Sequence, residues 1–316
     1  MHQLEDRLKQ ARELSWAHLG KKITFYLPGM FRLNGHTGRY PAVSITGGEC
    51  ALKCDHCQGK ILASMVSAPG AEKLISKCRE LAERGHLGVL ISGGCLEDGS
   101  IPWQDFIPAI ETIKQTTDLF VSVHCGLVNK ATAIQLKQAG VDQALIDVIG
   151  DDATFQKIYH VPFGVERIVS AMDALAAADL PMVPHIVCGI DYGQIKSEYK
   201  AVEMISRFDI AQLVIVALMR LPGTPMIQAI CPSVEQIADI LIQARLQMPD
   251  TPISLGCARQ RGNSRLEELA IDAGVNRMAL PSEEAIARAR AYGLDITFQP
   301  TCCSVSNRFI TESWYE

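Results

Sequence analysis

The 316-residue chain has no excess of positive charge: 30 Lys and Arg stand against 35 Asp and Glu, for a formal net charge of −5. Binding to nucleic acid or to an anionic membrane, which needs a basic face, is therefore not indicated. The chain also lacks a secretory leader pattern and any apolar run long enough to cross a bilayer. Eleven cysteines without such signals fit a reducing cytoplasm, where clustered thiols bind metal more often than they pair as disulfides. Hydrophobic residues make up 48% of the chain, ample for one large core, and the length falls within the range of a single α/β barrel.

What is present is an uneven distribution of cysteine. The run Cys50-Ala-Leu-Lys-Cys54-Asp-His-Cys57 follows a β-branched stretch at 40–46 that ends on Gly47 and Gly48, so its cysteines fall in a loop after a strand. Three thiolates at this spacing can hold three irons of a [4Fe–4S] cluster and leave the fourth iron open. A fourth thiolate would close the site and make an electron carrier, whereas an open iron can take the amino and carboxylate groups of S-adenosylmethionine (SAM). A structural zinc site is the competing reading, because Cys54 and Cys57 have the two-residue gap of zinc knuckles. His56 is the nearest fourth ligand, but from between two cysteines it would reach the same metal only by straining the loop.

Beyond this loop, short apolar strands alternate with amphipathic helices, the pattern of βα units. Strands are expected near 42–46, 88–92, 119–123, 142–147, 182–187, 212–217, 252–255 and 277–280, with helices between them such as 71–84, 130–139, 165–178, 234–246 and 264–273. Eight such units predict a (β/α)8 barrel over 41–293. An N-terminal helix and extended segment (1–40) precede it, and a tail with adjacent cysteines (294–316) folds over the barrel mouth. In such barrels the active site lies at the C-terminal ends of the strands.

The cysteine motif and its placement resemble the radical SAM superfamily. That resemblance implies a TIM-type radical SAM barrel, in which His56 takes the place of an aromatic side chain near the adenine. Ser92-Gly93-Gly94-Cys95, after the second expected strand, resembles the glycine-rich motif whose backbone meets the methionyl amino group, although its usual acidic third residue is Cys95 here. Leu221-Pro222-Gly223-Thr224-Pro225 resembles a turn of biotin synthase and its relatives near the adenine. Asp147, at the end of the fourth expected strand, is placed to hydrogen-bond the ribose or else to cap a nearby helix.

The stretch from Pro41 to Cys57, together with Cys302-Cys303, looks like the two-component lipoyl synthases. The resemblance implies a cytoplasmic enzyme that cleaves SAM reductively and inserts sulfur into an octanoyl chain on a carrier protein. It also implies a low-potential electron donor, a sister radical SAM subunit and a second, sacrificial [4Fe–4S] cluster. For that cluster Cys257, Cys302 and Cys303 are the preferred ligands, with Ser304 or Ser306 as an oxygen ligand. Cys95, Cys125 and Cys188 form an alternative set by comparison with biotin synthase, while Cys78 and Cys231 read as structural. Arg220, Arg259 and Arg261 follow strands and are candidates to hold a carboxylate. Two rival readings remain: a single-cluster radical SAM maturase or mutase, and a non-catalytic iron–sulfur protein that leaves SAM intact.

Overall fold

Apolar stretches of about five residues, rich in Val, Ile and Leu, cannot leave either face in water, so they pair side by side beneath amphipathic helices. A computed structural model describes residues 2–29, 31–262 and 264–314 of the chain. Its strands are Lys22–Tyr26 (β1), Arg32–Leu33 (β2), His36–Thr37 (β3), Ala42–Ser44 (β4), Val66–Ser67 (β5), Gly88–Ser92 (β6), Phe120–His124 (β7), Gln143–Asp147 (β8), Met182–Cys188 (β9), Leu213–Ala217 (β10), Ile253–Leu255 (β11), Arg277–Ala279 (β12) and Asp295–Gln299 (β13). The α-helices are His2–Leu19 (α1), Ala71–Glu83 (α2), Ile107–Thr116 (α3), Lys130–Gln138 (α4), Asp152–Tyr159 (α5), Glu166–Ala177 (α6), Glu198–Ile205 (α7), Val234–Gln247 (α8), Ser264–Asp272 (α9) and Glu283–Ala291 (α10).

Eleven strands form one parallel sheet in the order β13-β1-β12-β11-β10-β9-β8-β7-β6-β4-β5. The eight strands expected from the sequence are all in it, as β4 and β6 to β12, and the sheet curls into an α/β half-barrel. Alternation along each strand separates two cores. Val121 and Val123 face the helices with Ile91, Leu213 and Ile215, whereas Leu145, Val183, Val214 and Val216 meet Tyr26 and Ala279 on the concave side.

The difference from the expectation lies in how the barrel completes itself. β12 does not reach β4; it pairs with β1, and β1 pairs with β13. Residues 22–26 are thus a strand of the sheet and not a segment preceding it. Their alternating pattern, Lys-Ile-Thr-Phe-Tyr, puts Ile23 and Phe25 on one face and Thr24 and Tyr26 on the other, and Thr24 Oγ1 meets Thr297 Oγ1 of β13 at 2.8 Å.

The tail that follows β13 packs against the inside of the sheet. Gln143 Nε2 donates to the Ser304 carbonyl at 3.1 Å, Gln212 Nε2 donates to the Cys303 carbonyl at 2.6 Å, and Tyr26 Oη donates to the Val305 carbonyl at 3.0 Å. Gln143 opens β8 and Gln212 immediately precedes β10, so the tail forms a floor at the strands' N-terminal ends, where a lid over the mouth was expected. The cause is its apolar content: Val305 is fully buried against Tyr40 and Phe120. Among the described residues, no helix is long and apolar enough to cross a membrane.

Candidate active site

The cysteine loop begins where β4 ends. Gly47 takes φ +62°, which suits a residue without a β-carbon, and Ser44 Oγ donates to its carbonyl at 2.7 Å. The loop is then tied down at several points. The Ala51 N–H donates to the Cys95 carbonyl at 2.8 Å, and the Asp55 N–H donates to the Ile158 carbonyl at 3.0 Å. The buried Asp55 carboxylate pairs with His160 Nε2 at 2.8 Å and accepts from Tyr192 Oη at 2.7 Å. Asp55 therefore clamps the loop to the end of α5 and to the loop after β9.

Cys54 is buried, and Cys50 and Cys57 are half-buried. The Cys57 thiol is pushed down to about 4 by its hydrogen bond with Cys54, with help from His56, although burial opposes the shift. The same bond pushes Cys54 up. Among the described residues no three Cys, His, Asp or Glu side chains converge on a point that would hold a single metal ion.

Beside the loop lies a cavity of about 220 Å³ whose lining is mostly apolar and includes Cys50, Cys54, His56, Cys57, Ser92, Gly93, Gly94, Cys95, His124, Asp147 and Tyr159. Two buried polar atoms there have no protein partner, His56 Nδ1 and Tyr159 Oη. Such orphaned atoms are costly unless a ligand or water meets them. The backbone at Gly94 passes so close to the cysteine loop that a β-carbon there would stand 1.8 Å from the Glu49 carbonyl oxygen. The Gly94 N–H donates to Thr46 Oγ1 at 2.7 Å, which fixes this approach. These features fit a cluster at the three thiols with SAM against the glycine strand end. Gly94→Ala is expected to push the cysteine loop outward and to lower SAM affinity by at least about tenfold, read by equilibrium binding to the reconstituted protein; unchanged affinity would show that the close approach is dispensable.

Asp147 faces His124 across 3.6 Å, and the His124 and His185 rings lie 5.7 Å apart. Burial alone would raise the Asp147 carboxyl, but the neighbouring charges of His124, His185 and His56 outweigh it and hold it at about 2. Burial pushes His185 down to about 4, so its ring is neutral near pH 7. Asp147 thus stays ionised on the cavity wall, with His124 beside it.

The other expected residues divide. Pro222 and Gly223 do not line this cavity; their turn lies beside Lys60, three residues beyond Cys57. Cys257, Cys302 and Cys303 come together on the concave face, where Cys257 and Cys302 border the cluster of Tyr26, Leu145, Val183 and Cys303. Cys302 is pushed down to about 6 by its hydrogen bond with Cys303, and Ser304 Oγ lies 3.2 Å from Cys302 Sγ. Ser306, by contrast, is exposed. Cys95 borders the SAM-type cavity, but Cys125 and Cys188 are wholly buried in the helix-facing core. They stand one position out of phase with the inward-facing His124 and Val187, so Cys95, Cys125 and Cys188 do not share a site. Arg259 is also committed elsewhere: its guanidinium is buried on Glu267 at 2.7 Å and on the Ala279 carbonyl, which removes it as a ligand for a substrate carboxylate.

His124, His185, Tyr159 and Asp55 carry much of this geometry and were not singled out from the sequence. A signal for two of them was there. His124 and His185 alternate with Ser122 and Val183 along strands that are otherwise apolar, and a polar residue at period two in a buried strand marks the inside of a barrel.

No protein-family model matches the chain. A biotin synthase of Chlorobaculum parvum is 22% identical, with 85% of this chain and 82% of that protein covered. Among solved structures, methylornithine synthase (PylB) superposes with a TM-score of 0.65 at 15% identity over 93% of this chain and 89% of its own. HydG, a maturase of the [FeFe]-hydrogenase, gives 0.66 at 15% identity over 93% and 68%. The HydG of Carboxydothermus hydrogenoformans gives 0.62 at 15% identity over 95% and 73%. These structures share the fold; with the three-cysteine loop and the biotin synthase relative, they support placing the chain in the radical SAM superfamily, in its biotin synthase-like branch.

Proposed function

We propose that the chain is a radical SAM enzyme that inserts sulfur into an unactivated C–H position of an octanoyl chain held by a carrier protein. The observation that supports this reading over other radical SAM chemistries is the meeting of Cys257, Cys302 and Cys303 on the concave face, with Ser304 Oγ on Cys302. These residues would hold a second cluster as the sulfur source. A cluster on Cys50, Cys54 and Cys57 supplies, when bound, the electron that splits the SAM sulfonium bond into methionine and a 5′-deoxyadenosyl radical.

The chain's own part is placement and exclusion. Ser92, Gly93 and Gly94 line the cavity wall where the methionyl end would lie, the bare Gly94 backbone lets the cysteine loop close on that wall, and His56 Nδ1 and Tyr159 Oη offer unpaired polar atoms to the rest of the nucleoside. Asp147, kept ionised, accepts hydrogen bonds from a ribose hydroxyl or a bound amine. Leu62, Ile101, Ile146 and Ile149 line the same cavity and keep water from a reactive carbon centre. The tail closes the floor, and Leu90 and Val187 pack against the same apolar cluster as Cys257 and Cys302, giving an alkyl chain an apolar path toward them. A low-potential electron donor and a sister radical SAM subunit belong to this proposal.

Anaerobic reconstitution tests it. Wild type is expected to hold about eight irons per chain, and a Cys257→Ala, Cys302→Ala, Cys303→Ala variant about four. About four in both would end the sulfur-insertion reading and leave the single-cluster maturase or mutase, whose fold the comparisons equally allow.

A further inference from the structure

The mouth of the barrel is electrically lopsided. Residues 27–33, 45–65, 218–225 and 256–262, which follow β1, β4, β10 and β11, carry five exposed cations, Arg32, Lys53, Lys60, Arg220 and Arg261, against one exposed carboxylate, Glu49. Of the other charged groups there, Asp55 is buried and hydrogen-bonded to His160 and Tyr192, and Arg259 is buried on Glu267. On the other side, the loop after β6 exposes Glu97 and Asp98 and no cation, and the exposed Asp152 opens α5 after β8. A cationic half-rim on a chain of net charge −5 is a local reversal.

The basic half is continuous. Lys60 reaches across from the β4 loop to the β10 loop, its ammonium 2.7 Å from where a β-carbon on Gly223 would stand. The Arg261 guanidinium, 5.8 Å from the Phe31 ring, joins the β11 and β1 loops. Large apolar side chains stand exposed among these cations: Phe31 (37%), Ile61 (45%) and Met219 (44%). Ile61 also lines the cavity beside Cys50 and Cys57, so the patch adjoins the entrance to the chemistry. Apolar anchors framed by charges of one sign are the make-up of a surface that meets a charged protein face.

We propose that this half-rim docks an acidic protein domain that presents the tethered substrate to the cavity, oriented by the acidic loops opposite. The proposal rests on the reading of a carrier-bound substrate given above and adds the surface and the charge of the partner. Its test uses the reconstituted full-length protein and, as probe, an acidic lipoyl domain bearing octanoyl-lysine. The Arg32→Glu, Lys60→Glu, Arg220→Glu variant is expected to bind this probe at least about 30-fold more weakly than wild type at low salt, and to lose most of the salt dependence. Iron content after reconstitution and the thermal unfolding midpoint stay at their wild-type values, which shows that the fold and the cluster are intact. Glu97→Lys, on the acidic half, does not weaken binding.

Equal affinity of wild type and the triple variant overturns the proposal. So does a mouth occupied instead by a second copy, seen as self-association that the triple variant abolishes, or by the sister subunit in competition with the probe. The two readings fail separately. Charge-dependent binding without sulfur-inserted product leaves the docking surface standing and removes the chemistry; product from a free octanoyl-lysine peptide, with no binding of the acidic domain, does the reverse.

Discussion

Cys54→Ala loses the SAM-cleaving cluster and with it all turnover. Of the three thiols, Cys54 is the one enclosed by protein, 5% exposed, so neither water nor a mobile side chain can take its place. Its carbonyl also accepts from the Cys57 and Gln58 N–H groups, at 3.1 and 2.8 Å, so it sits at the pivot of the loop. Alanine keeps that backbone but removes one of the three irons' ligands, and a cube held by two thiolates is lost to solvent. SAM cleavage with a chemical reductant is expected to fall to background, together with the visible absorbance and about four irons per chain. Cys78→Ala is the control, since that thiol is buried in α2 and does not line the cavity beside the cysteine loop. A Cys54→Ala protein that keeps its irons and still cleaves SAM would remove the loop from the chemistry.

A chain stopped after Gln299 is expected not to fold stably. The missing tail contributes Val305, Cys303, Ser304 and Trp314, all between 0 and 3% exposed. Val305 and Trp314, the large apolar side chains among them, each stabilise by roughly 1.5–3 kcal/mol. The loss also leaves Tyr26 Oη, Gln143 Nε2 and Gln212 Nε2 without acceptors inside the barrel, at about 1–3 kcal/mol each. Together these reach the whole stability of an ordinary domain, about 5–15 kcal/mol. Thermal unfolding of the truncated chain should show a midpoint lowered by more than about 10 °C, or an insoluble product. The double variant Cys302→Ala, Cys303→Ala keeps the floor and is expected to unfold within a few degrees of wild type, which separates the tail's structural role from any metal it holds. A truncated chain as stable as the full one would mean that the floor is ornamental.

The eight strands β4 and β6 to β12 were legible because their β-branched runs are bounded by glycines and by amphipathic helices, signals that lie within a dozen residues of one another. The cysteine loop was legible for the same reason: spacing is local. What the sequence hid was distant pairing. Lys-Ile-Thr-Phe-Tyr at 22–26 and Asp-Ile-Thr-Phe-Gln at 295–299 are each readable as strands, but nothing in either says that they pair with one another and stand between β12 and β4. Arg259 looked available because Glu267, which neutralises it, lies a helical turn into α9. Pro222 and Gly223 looked like part of the nucleoside site because a turn motif carries no direction. The tail cysteines were read as lying over the barrel mouth, but their level in the barrel depends on Gln143 and Gln212, residues with no motif around them.

One consequence of the sheet order concerns the time at which the protein becomes itself. β1 pairs only with β12 and β13, so Thr24 finds Arg277 and Thr297 as neighbours. This strand leaves the ribosome about 250 residues before its partners, and contacts of such long range are slow to form. Until they do, the edge of β12 stays open, and the tail that follows β13 cannot take its place on Tyr26, so the floor of the chamber forms after its walls.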